Sequence, residues 1–209
     1  MTDWQRFRQE VTWFLDPGDT VVEGEPQRWT RGPVDGLKEL SALLHTATLT
    51  PVRVNNDAYE LLAWGPPDDR RGWLCRPPHG PDGERVAPVH ESFWAVCGGM
   101  VERFGEPTTW WTNQNEVLTA GAARVSVDEV VDELELPVNP DDYYVVAVEA
   151  NGNLTLARRD DGRLLLFAPD HAFDRVTPVE GCPPYTLLTF DELPDLTAWI
   201  EVCAAAWAG

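Results

Sequence analysis

The residues of this sequence that could transfer a proton are grouped at Asp170, His171 and Asp174. A histidine works as a general base when a carboxylate orients its ring, and this is an acid–imidazole cluster of that kind. Neighbouring side chains usually point apart, so we expect a solvated loop here. A hydrolase would instead need His171 and acids clustered in a deep pocket. The remaining histidines are dispersed in predicted loops or near helix ends: His45, His79 and His90.

Other motifs that carry catalysis or bind metals do not occur in the sequence. It contains no Gly-x-Ser-x-Gly, no Ser-x-x-Lys and no His-x-x-x-His. Gly98-Gly99 follows a predicted helix, whereas a phosphate-binding loop opens one. Adjacent acids such as Asp141-Asp142 are expected by chance among 35 carboxylates. These observations predict a protein that is not an enzyme and that binds no metal or cofactor.

A predicted acidic helix is the sharpest indication of a binding surface. Ser126 begins this helix with Glu129 as its capping-box partner, and Pro137 ends it. The acids that it offers to a partner are Asp128, Glu129, Asp132, Glu133 and Glu135. A concentrated negative surface accelerates association with a basic protein and selects it. The alternative is a helix face that is merely solvated.

Trp110-Trp111 is a second candidate for contact with a partner. Tryptophan is over-represented among the residues that dominate binding energy. Adjacent residues of a strand face opposite ways, so one of the pair could be buried while the other is exposed. The alternative is that both tryptophans belong to the core.

The charge of the chain limits its partners. There are 35 acidic residues against 16 Lys and Arg, a formal net charge of −19. Nucleic acids and anionic membrane surfaces need clustered basic residues, so neither is expected as a partner. A basic protein would be steered towards this chain, although an acidic surface also serves solubility alone.

The absence of a secretory pattern at the N-terminus predicts a cytoplasmic protein. The opening residues lack the basic and then apolar layout of a signal peptide. No apolar run approaches the roughly 20 residues of a membrane span. Cys75, Cys97, Cys182 and Cys203 share no Cys-x-x-Cys spacing, which predicts reduced thiols.

The elements that would carry these surfaces are organised around an antiparallel meander. We predict strands near 143–150, 153–159 and 163–168, joined by the turns Asn151-Gly152 and Asp161-Gly162. Both turns suit positions that need a positive φ. The first and third strands are apolar at successive positions, so we expect them inside a sheet that is covered on both faces.

Helices are expected to pack against this sheet. Thr2 and Gln5 form a capping box for a first helix that stops before Asp16. Further helices are predicted at 34–45, 89–97 and 126–135, and a last one begins near Phe190 or Pro194. Its apolar stripe, from Leu196 to Trp207, must lie on a sheet or on another helix.

Shorter strands and one irregular segment complete the prediction. Strands are expected near 21–22, 49–54, 58–64, 116–118 and 185–188. Residues 65–88 carry six prolines and predict a linker or long surface loop, in which Trp73-Leu74-Cys75 packs back as a short strand. Residues 170–184 are predicted to be mostly loop. The fold class is therefore α+β, with a central antiparallel sheet and a C-terminal meander of three to four strands.

The order of the motifs after Pro88 resembles the SUKH superfamily, which includes a yeast cell-wall assembly regulator and many bacterial immunity proteins. The similar segments are a short helix that ends in Gly98-Gly99, the segment Asn115 to Leu118, the acidic helix, the glycine-punctuated meander, and Thr189 to Leu193 before the terminal helix. The resemblance implies a SUKH-like α+β domain at 88–209, with residues 1–87 as an N-terminal extension packed on it.

The resemblance also implies a function. Many bacterial members neutralise toxins by binding them, and the family implies no shared catalytic residues for this chain. We therefore expect a non-catalytic immunity protein that binds a basic toxin domain through its acidic surface. A regulatory or scaffold domain that binds a cellular protein is the alternative.

Overall fold

Strands and short helices alternate along most of the chain. The computed structural model describes residues 1–81, 83–105, 114–128, 136–169 and 174–209. Its strands are β1 Val21–Glu23, β2 Gln27–Arg28, β3 Thr48–Val54, β4 Asp57–Trp64, β5 Arg71–Cys75, β6 Met100–Phe104, β7 Gln114–Val117, β8 Tyr143–Glu149, β9 Leu154–Arg158, β10 Leu164–Phe167, β11 Val176–Pro178 and β12 Leu187–Phe190. Its helices are α1 Asp3–Glu10, α2 Lys38–His45, α3 Pro88–Trp94, α4 Ala120–Ala123 and α5 Leu196–Ala208, with a 3-10 turn at Pro140–Asp142.

These strands form one sheet, in the order β1-β3-β4-β5-β6-β7-β8-β9-β10-β12-β11, with β2 paired to β3 beside β1. Each pair is antiparallel. Most neighbours in the sheet are also neighbours in sequence. Strands that follow each other through short connections pair antiparallel, because a parallel pair needs a long crossover connection. The predicted α+β class, with its central antiparallel sheet and C-terminal meander, is confirmed.

The meander follows the glycine pattern of the sequence. β9 pairs with β8 on one side and β10 on the other, with Val145 opposite Leu156 and Leu165 opposite the same leucine. Gly152 and Gly162 sit in the two turns with φ of 90° and 72°, values that residues with a Cβ rarely adopt. β12 adds the fourth strand beside β10.

Both faces of the sheet are covered, as the apolar runs predicted. On one face Tyr144 and Leu62 belong to a core shared with α2, α3 and α5. On the other face, Leu61 packs in a cluster with α1, and Val145 packs in a cluster with Ala122 of α4. Successive residues of a strand point to opposite faces of the sheet, so one strand contributes side chains to both cores. We call the first the three-helix face and the second the α1 face.

The first helix begins where its sequence indicates, and the last begins at Leu196, two residues after the later of its predicted starts, Pro194. Thr2 and Gln5 form the expected capping box of α1: the Thr2 hydroxyl accepts the Gln5 N–H at 3.1 Å and the Gln5 side chain accepts the Thr2 N–H at 2.9 Å. Asp195 caps α5 by accepting the Ala198 N–H at 2.9 Å. The stripe of α5 is buried on the three-helix face: Leu196, Trp199, Ile200, Cys203, Ala204 and Trp207.

The proline-rich segment 65–88 differs from its prediction. Trp73-Leu74-Cys75 is a strand, as expected, but it lies in the middle of the sheet, where β5 pairs with both β4 and β6. The interpretation as a linker is therefore wrong for residues 71–75, because the prolines flank the strand without entering it. The sheet and the core of the three-helix face run continuously across residue 87. The division into residues 1–87 and 88–209 stays a prediction.

Smaller differences concern where elements begin. α2 starts at Lys38 instead of residue 34, and β12 starts at Leu187 instead of residue 185. The segment predicted as loop after residue 170 contains β11, an edge strand that ends in Pro178. Proline is tolerated at a sheet edge because its missing N–H faces away from the ladder. None of the described helices has the length and apolarity that spanning a membrane requires.

Candidate binding groove

A groove opens beside α4, which contributes Ala120 and Gly121 to its lining. We call it the central groove, with a volume of about 480 Å³, and its lining includes Asp57, Arg76, Val101, Glu116, Gly121 and Arg124. Below it runs the junction of β6 and β7, where Met100 opposite Val117 is the cross-strand pair. Among the residues that the structure describes, this pair joins the part of the sheet covered by α1 to the part covered by α4.

Strand alternation and one irregularity aim side chains into this region. In β7, Val117 enters the core of the three-helix face, so its neighbour Glu116 points to the α1 face. In β6, the register with β5 shifts between Leu74 and Cys75. Val101 packs on the α1 cluster, and the next residue, Glu102, lies opposite Leu74 of that same cluster. A shift of this kind places two consecutive side chains on one face.

The groove carries charges of both signs, each already in contact with an internal partner. The Arg76 guanidinium lies 4.5 Å from the ring centre of Tyr59, and its Nη1 is 3.4 Å from Asp57 Oδ1. Arg124 Nε donates to Glu84 Oε1 at 3.0 Å. These pairs are partly exposed, so exchanging them for the groups of an incoming chain costs little. The groove therefore presents charged groups of both signs at the surface.

One wall of the groove is held by an unusual backbone position. Leu118 has φ of 56°, which a leucine rarely adopts. In this conformation its carbonyl accepts the indole N–H of Trp94 at 2.6 Å and a hydrogen bond from His90 Nε2 at 3.1 Å. Gly99 packs against the same carbonyl, since a Cβ there would lie 2.4 Å from the Leu118 oxygen. Helix α3 and β7 are joined at this point.

His90 is completely buried, and its hydrogen bonds define its tautomer. The Leu118 carbonyl can only accept, so Nε2 carries the proton, and Nδ1 accepts from the Tyr144 hydroxyl at 3.0 Å. The Tyr144 oxygen in turn accepts the Ala87 N–H at 3.2 Å. Burial lowers the pKa of His90 from 6.5 to about 3 and raises the pKa of Tyr144. The imidazole is therefore neutral at physiological pH, and its two hydrogen bonds link α3 to the sheet.

The histidines are less dispersed than the sequence suggested. His79 and His90 both contact the Trp94 ring, with ring centres 4.5 Å and 4.3 Å away. The signal that could have shown part of this is the four-residue spacing of His90 and Trp94, which places both on one side of a helix. His45 is exposed at the end of α2, and His171 lies outside the described residues.

Trp13 is a surface residue that the sequence reasoning missed. Its side chain is 70% exposed, and its Nε1 donates to Glu102 Oε2 at 2.9 Å. Trp4, Phe7, Val11 and Phe14 follow the apolar stripe of the first helix, and Trp13 does not share that spacing. An aromatic residue outside an otherwise regular stripe was the available signal.

The site residues expected from the sequence are described only in part. Asp128 is exposed, as a partner-binding residue must be. The others lie outside the described residues, and their assignment stays a prediction: Glu129, Asp132, Glu133, Glu135, Trp110 and Trp111. Asp170 also lies outside them, whereas Asp174 is exposed. Among the side chains that the structure describes, no three His, Cys, Asp or Glu come together as metal ligands.

Comparison with other proteins leaves the chain without a matching relative. No protein-family model, no curated protein and no solved structure matches it. What can be said of function therefore rests on the chemistry of the surface and on the order of motifs in the sequence.

Proposed function

We propose that this chain is a non-catalytic, cytoplasmic protein-binding domain of the immunity type, which neutralises a cognate bacterial toxin by direct binding. The observation that carries the proposal is a net charge of −19 on a surface where several arginines are paired with carboxylates. The resemblance of its motifs to the SUKH superfamily supports the same function. The partner is expected to be a basic toxin domain.

Several of the arginines are neutralised by a neighbouring carboxylate. Arg70 Nη2 lies 2.8 Å from Asp3 Oδ2, and Arg175 Nη1 lies 2.9 Å from Glu192 Oε2. Arg124 pairs with Glu84 in the same way. Such pairs have little field beyond a few ångströms, so the excess carboxylates set the potential that an approaching protein meets. That potential attracts a basic partner and repels an acidic one.

The predicted acidic helix and the central groove are the surfaces on which we expect this attraction to act. Asp128 is exposed at the beginning of the predicted acidic segment, and Arg124, four residues earlier, lines the groove. A basic protein that approaches the acidic segment would therefore meet the groove, whose donors and acceptors can fix its orientation. The negative charge would accelerate association, and contacts in the groove would fix the orientation of the bound partner.

Coexpression with the toxin encoded beside its gene tests the proposal. Cells that produce both proteins should grow, and the purified pair should associate faster at low ionic strength. Because steering is screened by salt, we expect the association rate constant to fall roughly tenfold or more between about 20 and 200 mM salt. Growth no better than with an empty vector would refute the immunity function.

A further inference from the structure

Trp13 is exposed but held in one orientation. Its side chain is 70% exposed, yet the indole N–H is bound by Glu102 Oε2 at 2.9 Å. The other oxygen of Glu102 accepts the backbone N–H of Arg103 at 3.1 Å. A side chain that is already fixed loses little conformational entropy when a partner covers it. Trp13 therefore has the properties of a preorganised contact residue.

A carboxylate lies at the edge of the Trp13 ring, where Glu102 Oε2 accepts the indole N–H. Glu10, three residues before Trp13 in the sequence, is bound to the end of β6, where its Oε2 accepts the Gly105 N–H at 2.8 Å. Glu102 and Gly105 lie three residues apart at the end of β6. A π face with carboxylates beside it attracts a cation, and most strongly a planar guanidinium that can stack and form two hydrogen bonds at once.

Among the described residues, two sets of the same groups have an arginine in place. Arg31 lies 5.3 Å from the ring centre of Trp29 and donates to Glu60 Oε2 at 2.6 Å. Arg76 lies 4.5 Å from the ring centre of Tyr59 and 3.4 Å from Asp57. Each set consists of an aromatic ring, a carboxylate and a guanidinium, and the guanidinium contacts both of the other groups.

The geometry points to Trp13 and Glu102 as the aromatic and the carboxylate of a third such set, completed by an arginine side chain of the protein partner. This inference rests on the proposed function, which requires a basic partner, and adds the chemical group that is recognised. Glu102 follows Val101, which lines the central groove. An arginine bound at Trp13 would thus lie at the groove's margin, while the rest of the partner segment occupies the groove.

Titration with a small guanidinium ligand tests this set without any toxin. N-acetyl-arginine amide is added to the full chain while the indole N–H resonance of Trp13 is followed by NMR, and Trp13→Phe identifies that resonance. We expect a saturable shift with the arginine amide and at least a threefold weaker response to N-acetyl-lysine amide. N-acetyl-citrulline amide, which is neutral, should have no effect. Equal responses to arginine and lysine, or none to either, would overturn the inference.

Two matched variants link the ligand to the partner. Glu102→Gln removes the carboxylate beside the ring, whereas Glu91→Gln removes an exposed carboxylate of α3. Glu102→Gln should weaken the response to the arginine amide at least threefold and raise the Kd for the toxin at least tenfold, and Glu91→Gln should change either by less than twofold. Toxin binding that survives Trp13→Ala and Glu102→Gln would overturn the anchor and leave the immunity function standing. An arginine response without toxin protection would refute the immunity function alone.

Discussion

His90 makes the stability of this protein depend on pH in a defined direction. Its imidazole is fully buried between α3 and the sheet, and burial lowers its pKa from 6.5 to about 3. In the unfolded chain the imidazole takes up a proton as the pH falls below 6.5, whereas in the folded chain it stays neutral. The unfolded state therefore binds more protons in this window. Stability attributable to His90 is present above pH 6.5 and is lost as the pH falls towards 3.

The magnitude follows from the two pKa values. Each pH unit between them costs about 1.4 kcal/mol of unfolding free energy. Near pH 7 the imidazole is mostly neutral in both states, and at pH 5 it is almost fully protonated in the unfolded chain only. Going from pH 7 to pH 5 should therefore remove about 2 kcal/mol through His90. Carboxylates that titrate in the same range add their own effect, so a variant is needed to isolate the histidine.

His90→Gln supplies that variant. Its side-chain amide can donate to the Leu118 carbonyl and accept from Tyr144, the two bonds that the imidazole makes, but it does not titrate. Urea unfolding at pH 7 and at pH 5 gives the loss for each protein. The natural chain should lose about 2 kcal/mol more than His90→Gln. His45→Gln, which changes an exposed histidine at the end of α2, should follow the natural chain within about 0.5 kcal/mol.

Equal losses in the natural chain and in His90→Gln would refute the reasoning. They would mean that the imidazole is protonated in the folded state as easily as in the unfolded one. The conclusion that His90 is buried and neutral between Tyr144 and Leu118 would then be wrong.

Two further predictions concern backbone space and a half-buried ion pair. Gly99→Ala must adopt φ near 97° and place its Cβ 2.4 Å from the Leu118 oxygen, so it should lose about 3–4 kcal/mol of unfolding free energy. Gly152→Ala meets nothing within 4 Å at φ of 90° and should lose only about 1–2 kcal/mol; equal losses in urea unfolding would contradict the clash. Arg31→Met removes the ion-pair partner of Glu60, whose side chain is 13% exposed. This variant should lose about 2–3 kcal/mol of unfolding free energy. The double variant with Glu60→Gln should cost at least about 1 kcal/mol less than the sum of the singles, and additive losses would rule out the coupling.

Local patterns in the sequence predict the meander well. Apolar residues at successive positions of β8 and β10 indicate strands that are buried on both sides, and they are. Gly152 and Gly162 mark the turns because only glycine adopts a positive φ at little cost. The cap of α1 follows from Thr2 and Gln5 for the same kind of reason. In each case the interaction that decides the structure joins residues a few positions apart.

The central position of β5 could not be predicted in this way. Its sequence is short and lies among prolines and glycines, which are typical of a surface loop. Its neighbours are β4, which is close in sequence, and β6, which is about 30 residues further on. Strand propensity indicates that a segment can pair, and the partners are chosen by packing across the whole sheet.

The sequence by itself determined the antiparallel ribbon, the helical stripes and the negative charge, because periodicity, turn chemistry and ionisation belong to the residues themselves. Only the tertiary structure decided that His90 and Trp94 meet at the Leu118 carbonyl, that Val101 and Glu116 share one groove, and that Trp13 stays exposed. Each of these depends on which distant segments lie side by side. Contacts between distant segments depend on how the whole chain packs to bury its apolar surface. A short segment of the sequence does not contain that information.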